Sequence, residues 1–235
     1  MPLFSTPVLM YHRVAVTAPS EDPQRLGVSP ESFGAQMRHL AERGFRVVPL
    51  EDLAGPAKSG KRVAITFDDG YLDTYTNAFP ILKRYGFPAT VFVVTDYLGR
   101  TNAWEPSIKV PMMDWGQARE MAGSGISIQS HTCTHPDVRA LPDEVVLREF
   151  TNSREKIREM LGSLADHLAY PYGWFDGRIR RLAERAGYRS AWAAGLADGG
   201  RYSRERFQVT AKDGHLPFII KTSRCAGWIR TVRHL

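Results

Sequence analysis

The run Ala64-Ile65-Thr66-Phe67-Asp68-Asp69-Gly70 carries an apolar, strand-like pattern that begins at Val63 onto two adjacent carboxylates and a glycine. Successive side chains on a regular strand point to opposite faces, so Asp68 and Asp69 would point apart if the strand continued. Both serve one site only if the strand ends near Phe67 and the backbone bends there, which Gly70 makes easier. Two carboxylates forced together repel, and one takes up a proton unless a cation lies between them. Taken alone, an Asp-Asp-Gly is more often a solvated turn with a helix cap. The rest of the chain shifts that balance.

Working outward, Pro7 to Met10 is a short apolar segment that runs into Tyr11-His12-Arg13, and residues 15–30 read as a loop. Ser29-Pro30 starts a helix with Phe33, Met37, Leu40 and Ala41 at helical spacing, closed by Gly44. Phe45 to Leu50 is strand-like, and breakers at Gly55-Pro56 and Ser59-Gly60 follow. On the C-terminal side, Asp73 is placed to cap a helix with Tyr75, Ala78, Phe79, Leu82 and Tyr85 on one face, kinked or split by Pro80 and ended by Gly86. Ala89 to Thr95 reads as a strand buried on both faces. A long loop over 96–111 holds Trp104. Then come a helix at Gln117–Ala122, a strand at Ile126–Gln129, a long helix over Pro142–Leu161, a strand at His167–Tyr170, a helix at Phe175–Ala186 and a strand at Tyr188–Ala194. This alternation predicts a parallel sheet wrapped by helices, open or closed into a barrel, in one domain spanning 1–235.

A chain of 235 residues, 43% hydrophobic and 24% charged, is long enough to bury a full core. A formal charge of +6 favours anionic partners such as phospholipid surfaces or sugar phosphates, though a solvated surface accounts for it more simply. The basic residues are spread out rather than interleaved with aromatics, which excludes a nucleic-acid footprint. Two cysteines, Cys133 and Cys225, make no disulfide framework. The start, Met1-Pro2-Leu3-Phe4-Ser5, lacks the basic region and apolar core of a signal peptide, and no apolar run approaches a membrane span. As given, the chain is expected in the cytoplasm. The tail over 225–235 carries Trp228, Ile229 and Val232 among arginines. It is expected to close the barrel as a helix, with peripheral contact to an anionic membrane surface as the other reading.

Two further segments fall at predicted strand C-terminal ends, where βα barrels assemble their sites. In Ser130-His131-Thr132-Cys133-Thr134-His135-Pro136, the two histidines share a face if the segment is helical, but Pro136 favours a tight turn instead. Two imidazoles and one carboxylate make three ligands with an open position, the pattern of a catalytic rather than structural zinc. Cys133 between them reads as a small buried thiol. Ala169-Tyr170-Pro171-Tyr172-Gly173 alone would be a turn with packed aromatics.

Together, Thr66-Phe67-Asp68-Asp69-Gly70, His131 to Pro136 and Tyr170-Pro171-Tyr172-Gly173 resemble the three leading motifs of the polysaccharide deacetylase family, the NodB-homology or carbohydrate esterase 4 group, over roughly residues 7 to 195. The resemblance implies a distorted (β/α)7 barrel and metal-dependent removal of acetyl groups from N-acetylated sugars. It implies Asp69, His131 and His135 as ligands of one divalent ion, zinc first and cobalt, nickel or manganese as alternatives. Asp68 would be the general base, and the backbone N–H of Tyr172 the oxyanion donor. Trp104, Tyr170 and His12 are the candidate substrate contacts. The expected substrate is an N-acetylhexosamine unit of a bacterial-type exopolysaccharide or its lipid-linked precursor. A formyl or imide substrate, or a glycan-binding relic without catalysis, are the alternatives.

Three departures qualify the resemblance. Ala169 stands where the family usually has an arginine that pairs with the catalytic aspartate, so another group must orient Asp68, and its pKa is expected to be less depressed. The fourth motif is missing, with Trp192 as a remnant or plain core residue. The usual late histidine acid has no clear counterpart, leaving His215 and His12 as candidates.

Overall fold

The computed structural model describes residues 6–53, 59–105, 108–195 and 197–223. In chain order these form β1 (Val8–Tyr11), β2 (Arg13–Val14), β3 (Gly27–Val28), α1 (Pro30–Glu42), β4 (Arg46–Val47), β5 (Arg62–Phe67), α2 (Phe79–Tyr85), β6 (Ala89–Val93), α3 (Trp115–Gly123), β7 (Ile126–Ser130), α4 (Asp143–Leu161), β8 (His167–Ala169), α5 (Gly177–Arg185), β9 (Ser190–Trp192), β10 (Phe207–Gln208) and α6 (His215–Thr222). Strands lie in the order β10-β1-β5-β6-β7-β8-β9, all pairs parallel, while β4 flanks the start of β5. Just before β10, the Ala191 N–H donates to the Arg201 carbonyl and the Ala193 N–H to the Arg204 carbonyl. Residues 201–208 thus bond first to β9 and then to β1, drawing the two sheet edges together. The result is the distorted (β/α)7 barrel that the alternating pattern and the resemblance predict.

Period-two alternation sorts the strand side chains. Val63, Ile65 and Phe67 of β5 join the layer between sheet and helices, and Ala64 joins Val8, Phe92, Ala169 and Trp192 in a smaller cluster. Trp192 is therefore a core residue, with the Arg204 guanidinium over its ring. Two strand ends that matter for the site are pinned from outside by α1. Tyr11 stacks on Phe67 (5.4 Å) and meets Phe33 edge-on (5.2 Å), and its hydroxyl donates to Gln36. Such aromatic pairs contribute about 0.5–1.5 kcal/mol each beyond the area they bury. They hold the residues just before His12 and Asp68 in place. Helix α1 starts as expected, with the Ser29 side chain accepting from the Ser32 N–H and Pro30 in the first turn.

One expectation is corrected here. Asp73 does not cap a helix. Its carboxylate accepts from the Val14 N–H and the Arg13 guanidinium, tying β2 to the segment after β5. Residues Thr74–Ala78 form a wide π-type turn in which the Phe79 N–H reaches the Thr74 carbonyl. Pro80 has no N–H to give to the carbonyl four residues back, and the helical run, unbroken over 72–85, accommodates it by widening into this π-type turn just before α2 rather than by splitting. The tail over 225–235 lies outside the described residues. The last described strand and helix are β10 and α6, which the periodicity had not predicted. Among the described residues, no helix is long and apolar enough to cross a membrane.

Candidate active site

The bend expected after Phe67 is present. Strand alternation turns Asp68 inward, and Asp69 then takes a left-handed backbone (φ 73°), followed by Gly70 (φ 87°). That break lets two adjacent carboxylates face one groove. A Cβ on Gly70 would meet Val93 at 3.0 Å, a close approach that glycine alone allows without adjustment. The segment from His131 to His135 is a tight turn rather than a helix, with positive φ at Thr132 and His135.

These backbones bring three of the predicted residues to one point. His131 Nε2 and His135 Nε2 each lie 3.3 Å from Asp69 Oδ1, and the three donor atoms all fall within 4.8 Å of one another. Two ligands bound at about 2.0–2.1 Å to a tetrahedral ion stand about 3.3 Å apart. Asp69 Oδ1 is buried without a hydrogen-bond partner among the described residues. His131 Nδ1 lies 2.8 Å from the Ala169 carbonyl, a contact that places the proton on Nδ1 and leaves Nε2 as a donor of electrons. A divalent cation fits this set.

Electrostatics differ from residue to residue. Burial alone would raise Asp69, but the two imidazoles of His131 and His135 facing it at 3.3 Å outweigh burial and hold the carboxyl well below its usual range. Burial lowers His135 and wins there, whereas at His131 the Asp69 and Asp68 carboxylates outweigh burial and raise it. Asp68 is not part of the trio. Arg206, fully buried, grips it with both terminal nitrogens: Nη1 to Oδ1 at 2.5 Å and Nη2 to Oδ2 at 2.7 Å. Burial pushes Asp68 up, but the Arg206 charge, helped by His131 and His12, brings it below the usual carboxylate range. Another group does orient Asp68, as expected: Arg206, just before β10, supplies the guanidinium that Ala169 lacks and keeps the carboxyl depressed. A basic residue one step before the strand-like Phe207-Gln208-Val209 was the available sequence signal.

The remaining candidates separate. His12 follows β1, lines the groove, and keeps its buried Nδ1 without a partner among the described residues. Tyr172 (φ 59°) lines it too, with its ring edge-on to His135 at 4.6 Å. Trp104 reaches the groove but stacks one face on His135 at 4.5 Å, so it braces that imidazole as well as forming a wall. Tyr170 is not at the site. Its ring is fully buried against Phe175 and its hydroxyl donates to the Tyr202 carbonyl, because it continues the outward-facing row of β8. His215 is also excluded as the acid: it starts α6 and packs against His39 at 5.1 Å. Cys133 is buried and outside the trio, its thiol pushed up to about 12 by burial and then by Glu149. The groove encloses about 430 Å³, and a Gln24–Glu105 hydrogen bond of 2.8 Å links two of its walls.

Known proteins resemble this chain in sequence and in fold. YxkH of Bacillus subtilis, which bears the name of a polysaccharide deacetylase, is 30% identical over 213 residues, covering 87% of this chain and 71% of that protein. The poly-β-1,6-N-acetyl-D-glucosamine N-deacetylase of Staphylococcus epidermidis is 27% identical over 201 residues, 74% of this chain and 67% of its own. The solved structure of the Streptococcus pyogenes deacetylase PplD in complex with acetate superposes with a TM-score of 0.81 at 26% identity, covering 92% of this chain and 97% of that one. The sequence pattern that defines polysaccharide deacetylases matches residues 55–191. With the barrel, the paired aspartates and the converging histidines, this places the chain in the polysaccharide deacetylase family.

Proposed function

We propose that this protein hydrolyses the acetamide of N-acetylhexosamine units in an exopolysaccharide, with a β-1,6-linked N-acetylglucosamine polymer as the first candidate substrate. Asp69, His131 and His135 would hold one divalent ion, zinc being the choice that suits two imidazoles and a carboxylate. When bound, such an ion polarises a carbonyl oxygen and lowers the pKa of a water to about 7.

The observation that carries the reading is Asp68, a carboxylate kept off the ligand trio, ionised and locked in orientation by Arg206. Arg206 uses two of its acceptor sites and leaves others to take a proton from the attacking water. His12 sits in the same groove near Asp68 and is the group placed to protonate the departing amine. The Tyr172 N–H is the donor assigned to the developing oxyanion, a contact of a kind worth about 3–4 kcal/mol. A glycan-binding relic would gain nothing from a buried base held by a buried guanidinium.

Acetate release from β-1,6-linked N-acetylglucosamine oligomers, with and without chelator, tests the proposal. Wild-type protein is expected to release acetate and to lose that activity on chelation. Asp68→Asn is expected to lose roughly 100- to 10,000-fold in rate while retaining metal, the usual worth of a general base. Release of formate but not acetate from matched substrates would move the reading to a deformylase. No hydrolysis of any acylated glycan by metal-loaded wild type would overturn it.

A further inference from the structure

Resting on the metal centre proposed above, we infer that Glu149 of α4 is a positioning residue that sets the metal-ligand turn from behind. The turn from His131 to His135 contains two non-glycine residues in the left-handed region, Thr132 at φ 72° and His135 at φ 62°. Each such backbone is strained for a residue with a Cβ and persists only where its surroundings impose it.

The partners of the five backbone N–H groups impose it. The His131 N–H goes to the Val93 carbonyl, the Thr132 N–H to Ser130 Oγ and the His135 N–H to Thr132 Oγ1. The remaining two, from Cys133 and Thr134, both go to Glu149 Oε2, at 2.9 and 3.0 Å. Glu149 Oε1 accepts from the Thr134 hydroxyl at 2.8 Å. One carboxylate therefore absorbs every donor that the turn cannot satisfy within itself or from the sheet. One helical turn further on, Ser153 meets Ser130 at 2.7 Å, so α4 holds both ends of the segment.

Glu149 touches neither the cation position nor the groove. Its action runs through the turn to the directions of the two imidazoles. Without it, the part-buried Cys133 N–H and the exposed Thr134 N–H lose a charged acceptor and the strained backbone loses its clamp. Outer partners of this kind typically contribute 10- to 100-fold to metal affinity.

The test measures zinc affinity by competition with a chromophoric chelator on the full chain, alongside the visible spectrum of the cobalt-loaded protein. Glu149→Ala is expected to bind zinc 10- to 100-fold more weakly and to alter the cobalt spectrum. Glu149→Gln, which keeps one acceptor oxygen, is expected to fall between it and wild type. Glu155→Ala, on the exposed side of α4, is expected to match wild type. Zinc affinity for Glu149→Ala within twofold of wild type would overturn the inference. So would failure of both Glu149 variants to fold, which would make it a residue of the fold rather than of the metal site. Absence of zinc binding by wild type would overturn the metal centre itself and Glu149 with it, an outcome distinct from the other two.

Discussion

Asp68 and Asp69 are chemically identical neighbours with different partners, and the division of labour between them follows from that. Asp69 faces two imidazoles with its Oδ1 lacking a hydrogen-bond partner among the described residues, whereas Asp68 faces a guanidinium fork. The pair with Arg206 also has a stability consequence. Because the folded pKa of Asp68 is depressed, its ionisation stabilises the fold above the unfolded pKa, and that contribution is lost as pH falls through the folded value. In Arg206→Met, burial is opposed only by His131 and His12, and Asp68 shifts upward. The acid limb of the kcat/KM profile is therefore expected to move to higher pH, and denaturant unfolding at neutral pH to show a loss of roughly 3–5 kcal/mol, the usual result of breaking a buried pair. An unchanged acid limb would separate Asp68 from the base role.

At the scale of elements, strand alternation and helix periodicity were legible, but the turns that aim the side chains were only partly so. Pro136 correctly pointed away from a helix at His135, yet nothing local indicated that Thr132 would adopt a positive φ. The turn at Tyr172-Gly173 is similar. Gly173 has φ 72°, and a Cβ there would lie 2.5 Å from Ala194 Cβ and 2.6 Å from the Ala194 nitrogen. Those atoms belong to the chain just after β9 and cannot swing aside as a long side chain can. Gly173→Ala is expected to lower the melting temperature and to reduce acetate release at least tenfold, since the shift would displace the Tyr172 N–H. Differential scanning calorimetry and the release assay read these two effects separately. Tyr170, two residues from Tyr172, was misjudged because the motif spacing does not reveal which side of β8 a residue faces.

For the whole molecule, the barrel assembles the proposed ligands from the ends of β5 and β7 and the partner of the proposed base from the residue before β10, so a bound metal should report on global stability. Zinc at a hundred times its dissociation constant would add about 2.7 kcal/mol, expected to raise the melting temperature by roughly 5–10 °C for a chain of this size. Asp69→Asn should abolish the rise, and a rise that survives it would place the metal elsewhere. Residue types and spacing alone determined the alternating architecture and the pairing of two histidines with a carboxylate as candidate ligands, because these depend on local period and on the chemistry of neighbours in the chain. The choice of Asp69 for the trio and the separate role of Asp68 came from the family resemblance. Only the tertiary structure decided that Arg206 replaces the guanidinium missing at Ala169. The two lie far apart in sequence, and they act on one site only because residues 201–208 bring the edges of the sheet together.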